Sequence, residues 1–107
     1  MLKVLMARWQ QGYRTMAFPE GKPPEMPAHF RGRPVIDPLR CVDGCGDCAA
    51  ACPTQAIKVE GPGKVRIDLG RCLFCSDCME ACPNDSISHS RDYRLAVRQR
   101  EDLDVRP

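Results

Sequence analysis

Long apolar runs are missing from this sequence: no stretch approaches the ~18 residues that a membrane span requires. The first residues, MLKVLMARWQQGYR, are apolar only in short pieces broken by Lys3 and Arg8. No small-residue cleavage site follows, which argues against a secretory signal. The expectation is a soluble or peripheral protein of the cytoplasm. Aromatic residues are scarce, at 6% of the chain, and no basic stripe carries interleaved aromatics. Nucleic acid is therefore not an expected partner. Bulky side chains are too few for a large core in a chain of 107 residues with 10 prolines and 8 glycines. Something other than apolar packing should staple it.

Cysteine is abundant instead. All 8 fall between positions 41 and 82. In a reducing compartment thiols stay free, so spaced cysteines favour metal over disulfides. The first run, Cys41-Val42-Asp43-Gly44-Cys45-Gly46-Asp47-Cys48-Ala49-Ala50-Ala51-Cys52-Pro53, is spaced C-x3-C-x2-C-x3-C-P. The second, Cys72-Leu73-Phe74-Cys75-Ser76-Asp77-Cys78-Met79-Glu80-Ala81-Cys82-Pro83, is spaced C-x2-C-x2-C-x3-C-P. The lead-ins repeat too, Ile36-Asp37 before Cys41 matching Ile67-Asp68 before Cys72. The extra residue is confined to Val42–Gly44.

Each half reads as strand, cysteine loop, short helix and strand. The strand candidates are Val35–Asp37, Ile57–Glu60, Lys64–Asp68 and Ser86–Ser88. Gly61-Pro62-Gly63 turns the chain as a hairpin loop would. Ala49–Ala51 and Met79–Ala81 suit helical turns that Pro53 and Pro83 stop. The expected fold is α+β, a pseudo-two-fold domain of two halves of one design. Three units are expected: an N-terminal helix and proline-rich strap over residues 1–34, the cysteine domain over 35–90, and a charged tail over 91–107. Leu2, Leu5, Met6 and Trp9 share one helical face, which needs a surface to cover it: the chain's own core, a partner subunit or a bilayer. The strap runs through Pro19, Pro23, Pro24, Pro27, Pro34 and Pro38 and reads as extended. Residues 91–100 are helix-prone and charged, a helix or extended tail lying across the core or a neighbour. Residues 1–40 are net basic and 41–90 net acidic. The basic arm is either a solvated surface or one that meets an acidic partner or membrane.

A [4Fe–4S] cube needs one thiolate per iron. In the bacterial C-x2-C-x2-C-x3-C-P run, the fourth cysteine ligates the other cluster. Applied here, cluster one takes Cys41, Cys45, Cys48 and Cys82, and cluster two takes Cys72, Cys75, Cys78 and Cys52. That exchange would supply the staple the thin core lacks. A zinc site would want two C-x2-C pairs and leaves two four-cysteine runs unexplained. Gly44, Gly46, Gly70 and Ser76 permit tight loops whose N–H groups reach cluster sulfurs. Leu73, Phe74, Ile57, Ile87 and Val42 are expected to shield the clusters. His29 and His89 read as surface residues. Asp43, Asp47, Asp77 and Glu80 read as solvated, and no catalytic acid, base or nucleophile stands out.

The core resembles a bacterial two-[4Fe–4S] ferredoxin. Phe30-Arg31-Gly32-Arg33-Pro34, Asp37-Pro38 and Leu69-Gly70-Arg71-Cys72-Leu73-Phe74-Cys75 resemble the ferredoxin-like subunits of membrane-bound respiratory and hydrogenase complexes. These include chain I of NADH–quinone oxidoreductase and its counterpart in formate hydrogenlyase and other group 4 [NiFe]-hydrogenases. Tyr93-Arg94-Leu95-Ala96-Val97 and Glu101-Asp102-Leu103 resemble the hydrogenase branch in particular. The family's usual gap after the first cysteine is x2, so the x3 gap is a departure. The resemblance implies two [4Fe–4S] clusters and an electron-relay subunit with no catalytic site of its own. Its partners would be hydrogenase small and large subunits, a membrane arm and a redox donor protein. The subunit would lie peripherally on the cytoplasmic face of the membrane, with contact through residues 2–12. The alternatives are a chain I-like subunit of a quinone-linked complex and a free soluble ferredoxin.

Overall fold

The computed structural model describes residues 1–12 and 15–107; Tyr13 and Arg14, within the expected arm, lie outside them. Good helix formers from Leu2 to Gln11 make α1 (Leu2–Gln11), which ends where Gly12 takes a φ of 57°. None of its residues is buried. Leu2, Leu5, Met6 and Trp9 are 73%, 63%, 55% and 87% exposed, so the chain's own core does not cover this face. Among the described residues no helix is long and apolar enough to cross a membrane. The strap that follows is irregular and pinned at two places. The Phe18 ring meets Tyr93 edge-on with centroids 6.1 Å apart. Further on, Gly32 and Arg33 donate backbone N–H bonds to Ser90 and Asp92.

The cysteine region forms β1 (Pro34–Ile36), α2 (Asp47–Ala51), β2 (Ile57–Val59), β3 (Val65–Asp68), α3 (Asp77–Ala81) and β4 (Ile87–His89). β1 pairs antiparallel with β4, Ile36 opposite Ile87. β2 pairs antiparallel with β3 across the Gly61–Gly63 turn, Ile57 opposite Ile67. Gly63 there has a φ of 67° and lies against Pro38, where a Cβ would meet the carbonyl oxygen at 3.1 Å. The two short helices lie against each other, α2 also touching β2 and α3 touching β4. Alternation along β3 sends Val65 and Ile67 inward at 2% and 1% exposure, leaving Arg66 and Asp68 on the outer face.

Of the two forms expected for the tail, a helix or an extended segment lying across the core or a neighbour, the structure takes the non-helical one and ends it on the core. Residues 91–99 form no helix. A 3-10 turn (Arg100–Leu103) leads into β5 (Asp104–Val105), which adds to the outer edge of β3 with Val105 opposite Ile67. The reason is an edge left open by the hairpin: the Leu69 N–H donates to Leu103 O at 3.0 Å, and Val105 enters the core at 3% exposure. Arg100 locks the turn by a two-pronged contact on Asp68, 2.8 Å to each carboxylate oxygen. Its guanidinium occupies the space beside Gly70, where any Cβ would meet it at 2.7 Å. Ile36, Cys48, Ile57, Val65, Ile67, Ile87 and Val105 make up the buried core. A core this small leaves stability to be found elsewhere.

Candidate functional site

Each cysteine run wraps from a strand end into a short helix. Cys41 and Cys72 follow β1 and β3, and Cys48 and Cys78 sit in the first turns of α2 and α3. After each run the chain leaves through Cys52 or Cys82, both in extended backbone. Each of these two exits is clasped by the next residues. The Ala56 N–H points at Cys52 Sγ at 3.2 Å, and the Ser86 N–H at Cys82 Sγ at 3.4 Å. The Ser86 hydroxyl lies 3.1 Å from Cys82 Sγ and the Thr54 hydroxyl 3.6 Å from Cys52 Sγ. Gln55 and Asp85 take φ values of 54° and 51° to make these clasps, a turn that an Asp side chain tolerates readily and a Gln side chain does not announce.

Five of the thiols are shifted, in two directions. Partial burial pushes Cys52 and Cys82 upward, but the N–H and hydroxyl donors aimed at their sulfurs outweigh it and hold both below the ordinary thiol value. Burial pushes Cys48 up despite the Ala49 N–H, and the nearby Cys45, Cys82 and Cys41 add to the rise. Burial likewise raises Cys72, with the Phe74 N–H opposing it and Cys52 and Cys75 reinforcing it. Cys78 is pushed up to about 11 by burial and then by Cys72, Cys75 and Cys48. Cys48 thus neighbours Cys41, Cys45 and Cys82, and also Cys78 across the α2–α3 contact. A second set, Cys52, Cys72, Cys75 and Cys78, lines one cavity together with Phe74 and Ser76. Crowded thiols that repel one another as anions need cations among them. Soft thiolate donors with N–H groups aimed at the sulfurs suit iron–sulfur clusters. Among the described residues no three His, Cys, Asp or Glu side chains converge tightly enough on one metal ion. A cube differs from a single ion in that each thiolate meets its own iron.

The loops differ from each other. Around Cys41–Cys48 the positive φ falls on Gly44, at 75°. Around Cys72–Cys78 it falls on Phe74 and Ser76, at 57° and 74°. Gly46 needs no such freedom, its φ being −128°. Ile57 and Ile87 are buried as expected. Leu73, 66% exposed, lines the same cavity as Cys52, Cys72, Cys75 and Cys78, and Val42 is 53% exposed. Asp43, Asp47, Asp77 and Glu80 are exposed, as is His29. His89 is not a free surface residue: it is half-buried between the strap and the second loop, its ring 6.0 Å from that of Phe74.

Residues 40–86 match the family described as 4Fe-4S dicluster domain. The chain is 40% identical over 97 residues to formate hydrogenlyase subunit 6 of Escherichia coli strain K12, covering 86% of this chain and 53% of that protein. It is 33% identical over 102 residues to an NADH-quinone oxidoreductase subunit I of Geobacter metallireducens, covering 83% and 76%. The chain spans only about half the length of the E. coli relative, at 53%. Among solved structures, a chain of the membrane-bound sulfane sulfur reductase, an archaeal respiratory membrane complex, superposes with a TM-score of 0.69 at 27% identity, covering 92% of this chain and 55% of that one.

Proposed function

Because this chain belongs to the 4Fe–4S dicluster family that includes subunit I of NADH-quinone oxidoreductase, we propose that it relays single electrons inside a membrane-associated, formate hydrogenlyase-like hydrogenase complex. The protein carries two [4Fe–4S] clusters, each of which takes up and gives back one electron at a time. In this reading Cys41, Cys45, Cys48 and Cys82 hold cluster one, and Cys72, Cys75, Cys78 and Cys52 hold cluster two. The observation that carries it is the pair of thiol sets, each with donors already aimed at a sulfur. The rest of the chain acts on that frame. Cys52 and Cys82, each clasped by its own loop, tie the halves of a pseudo-two-fold domain to each other. In this reading the chain needs no catalytic acid, base or nucleophile of its own.

The arm (1–34), cluster domain (35–90) and tail (91–107) then have separate duties. The uncovered face of α1 would dock residues 2–12 on a neighbouring subunit or the bilayer surface, placing the subunit peripherally on the cytoplasmic face. Its partners would be the hydrogenase small and large subunits, the membrane arm and a redox donor protein. The similarity to subunit I favours a quinone-linked complex as the second reading. Gentle detergent purification separates the two: a co-purifying large subunit with [NiFe]-ligating cysteines establishes the hydrogenase, and a quinone-reactive arm without one establishes the alternative. A stable, monodisperse monomer carrying both clusters would sink both in favour of a free ferredoxin.

A further inference from the structure

The second cysteine loop is built in a way that its own sequence does not favour. Phe74 and Ser76 both hold left-handed backbone, at φ 57° and 74°, which L side chains seldom adopt unless their surroundings impose it. The first loop meets the same need with Gly44, which requires no outside help. What imposes it in the second loop comes from two other elements. From the strap, Arg31 Nη1 donates to the Phe74 carbonyl at 3.0 Å. From β4, the His89 ring stacks on Phe74 at an interplanar angle of 18°. His89 Nδ1 lies 3.0 Å from the Gly32 carbonyl, so that nitrogen carries the proton. Nε2 is then the acceptor, 3.4 Å from the Ser76 hydroxyl. The Gly32 anchor is itself fixed, its N–H donating to Ser90 O at 2.9 Å. At the repeat position of His89 the first half has Val59, which can make neither hydrogen bond.

The clamped loop has one consequence at a thiol: the Phe74 N–H points at Cys72 Sγ at 3.4 Å. An N–H donor on a cluster sulfur favours the more negative, reduced state and raises the potential. Resting on the assignment of Cys72, Cys75, Cys78 and Cys52 to cluster two, we propose that His89 is a positioning residue that holds the Phe74–Ser76 loop in its left-handed form, keeps the Phe74 amide on the Cys72 sulfur, and so sets the potential of cluster two apart from that of cluster one.

The test uses the full chain with both clusters in place, by redox titration followed by electron paramagnetic resonance and by hydrogen exchange of the peptide spanning residues 73–78. His89→Ala is expected to lower the cluster-two midpoint, with the reduced-to-oxidised ratio at a fixed potential falling roughly tenfold, about 59 mV for one electron. Exchange in 73–78 speeds up and cluster one does not move. Val59→Ala leaves cluster two unchanged. His89→Phe keeps the stack and loses both hydrogen bonds, so it gives a smaller shift of the same sign; it also serves as the reading if His89→Ala loses cluster two. An unmoved cluster-two potential in His89→Phe together with unchanged exchange overturns the proposal, as does an equal shift of both clusters. Cys75→Ser, with iron and sulfide analysis, tests the assignment separately. It should alter one cluster signal only, and if it alters both or neither, the ligand assignment fails independently of His89.

Discussion

Val105 is the residue through which the tail reaches the core, and trimming it measures what β5 contributes. Its side chain is 3% exposed and its backbone lies opposite Ile67, itself 1% exposed. Val105→Ala removes two buried methyl groups, worth about 1.5 kcal/mol at about 0.8 kcal/mol each. The cavity left beside Ile67 brings the loss to roughly 1.5–3 kcal/mol. Cluster loss makes unfolding irreversible, so the informative quantity is a rate. The bleaching of cluster absorbance near ~400 nm in guanidinium is the assay. At about 1.4 kcal/mol per factor of ten, Val105→Ala should bleach roughly ten- to a hundredfold faster when the contact is lost before the transition state for unfolding. Val97→Ala is the control: it lies in the same tail but is 43% exposed, and its effect should stay within about 0.5 kcal/mol. Equal bleaching rates for Val105→Ala, Val97→Ala and the parent chain would refute the claim that the tail completes the core.

Three further perturbations test other links. Arg100 holds the Asp68 carboxyl down to about 2, from an ordinary 3.8, through its hydrogen bonds. Asp68 therefore stabilises the fold above about pH 4, and that contribution fades as pH falls toward about 2. The protection factor of the Leu69 amide, which meets Leu103 O, should fall across that window in the parent chain once intrinsic exchange is divided out. In Arg100→Gln it should already be low at pH 7, and parallel behaviour of the two chains would exclude the lock. Deleting residues 1–12 should release the subunit from its complex in size-exclusion chromatography while iron and sulfide content stay unchanged. Retention of assembly would rule out docking through α1. Gly32→Ala should loosen the strap from β4, because its Cβ would run into the backbone of Ser90 and Asp92. Protease cleavage in residues 15–31 should rise, and an unchanged digestion pattern would show the close approach to be dispensable.

The cysteine runs were legible because ligand spacing is local. C-x2-C and C-x3-C-P describe one turn of chain at a time, and the loops, α2 and α3 form within that range. The β2–β3 hairpin was legible for the same reason, with Gly61-Pro62-Gly63 between two alternating strands. β5 was not: a two-residue strand has no periodicity, and only the open edge of β3 makes one of it. His89 was hidden for a related reason. A lone histidine carries no local signal, and its partners, Gly32, Phe74 and Ser76, come from two distant parts of the chain.

By itself the sequence determined the cofactor, the number of clusters and the place of the departure at Val42–Gly44, since these depend on residue type and spacing along a few consecutive positions. Tertiary structure alone decided that the first loop takes its left-handed turn on Gly44, by that residue's own freedom, while Phe74 and Ser76 are held left-handed by contacts from elsewhere. It also decided that Val105 belongs to the core and that the apolar face of α1 stays exposed. Such contacts join residues far apart in sequence, and only the folded chain brings them within reach of one another.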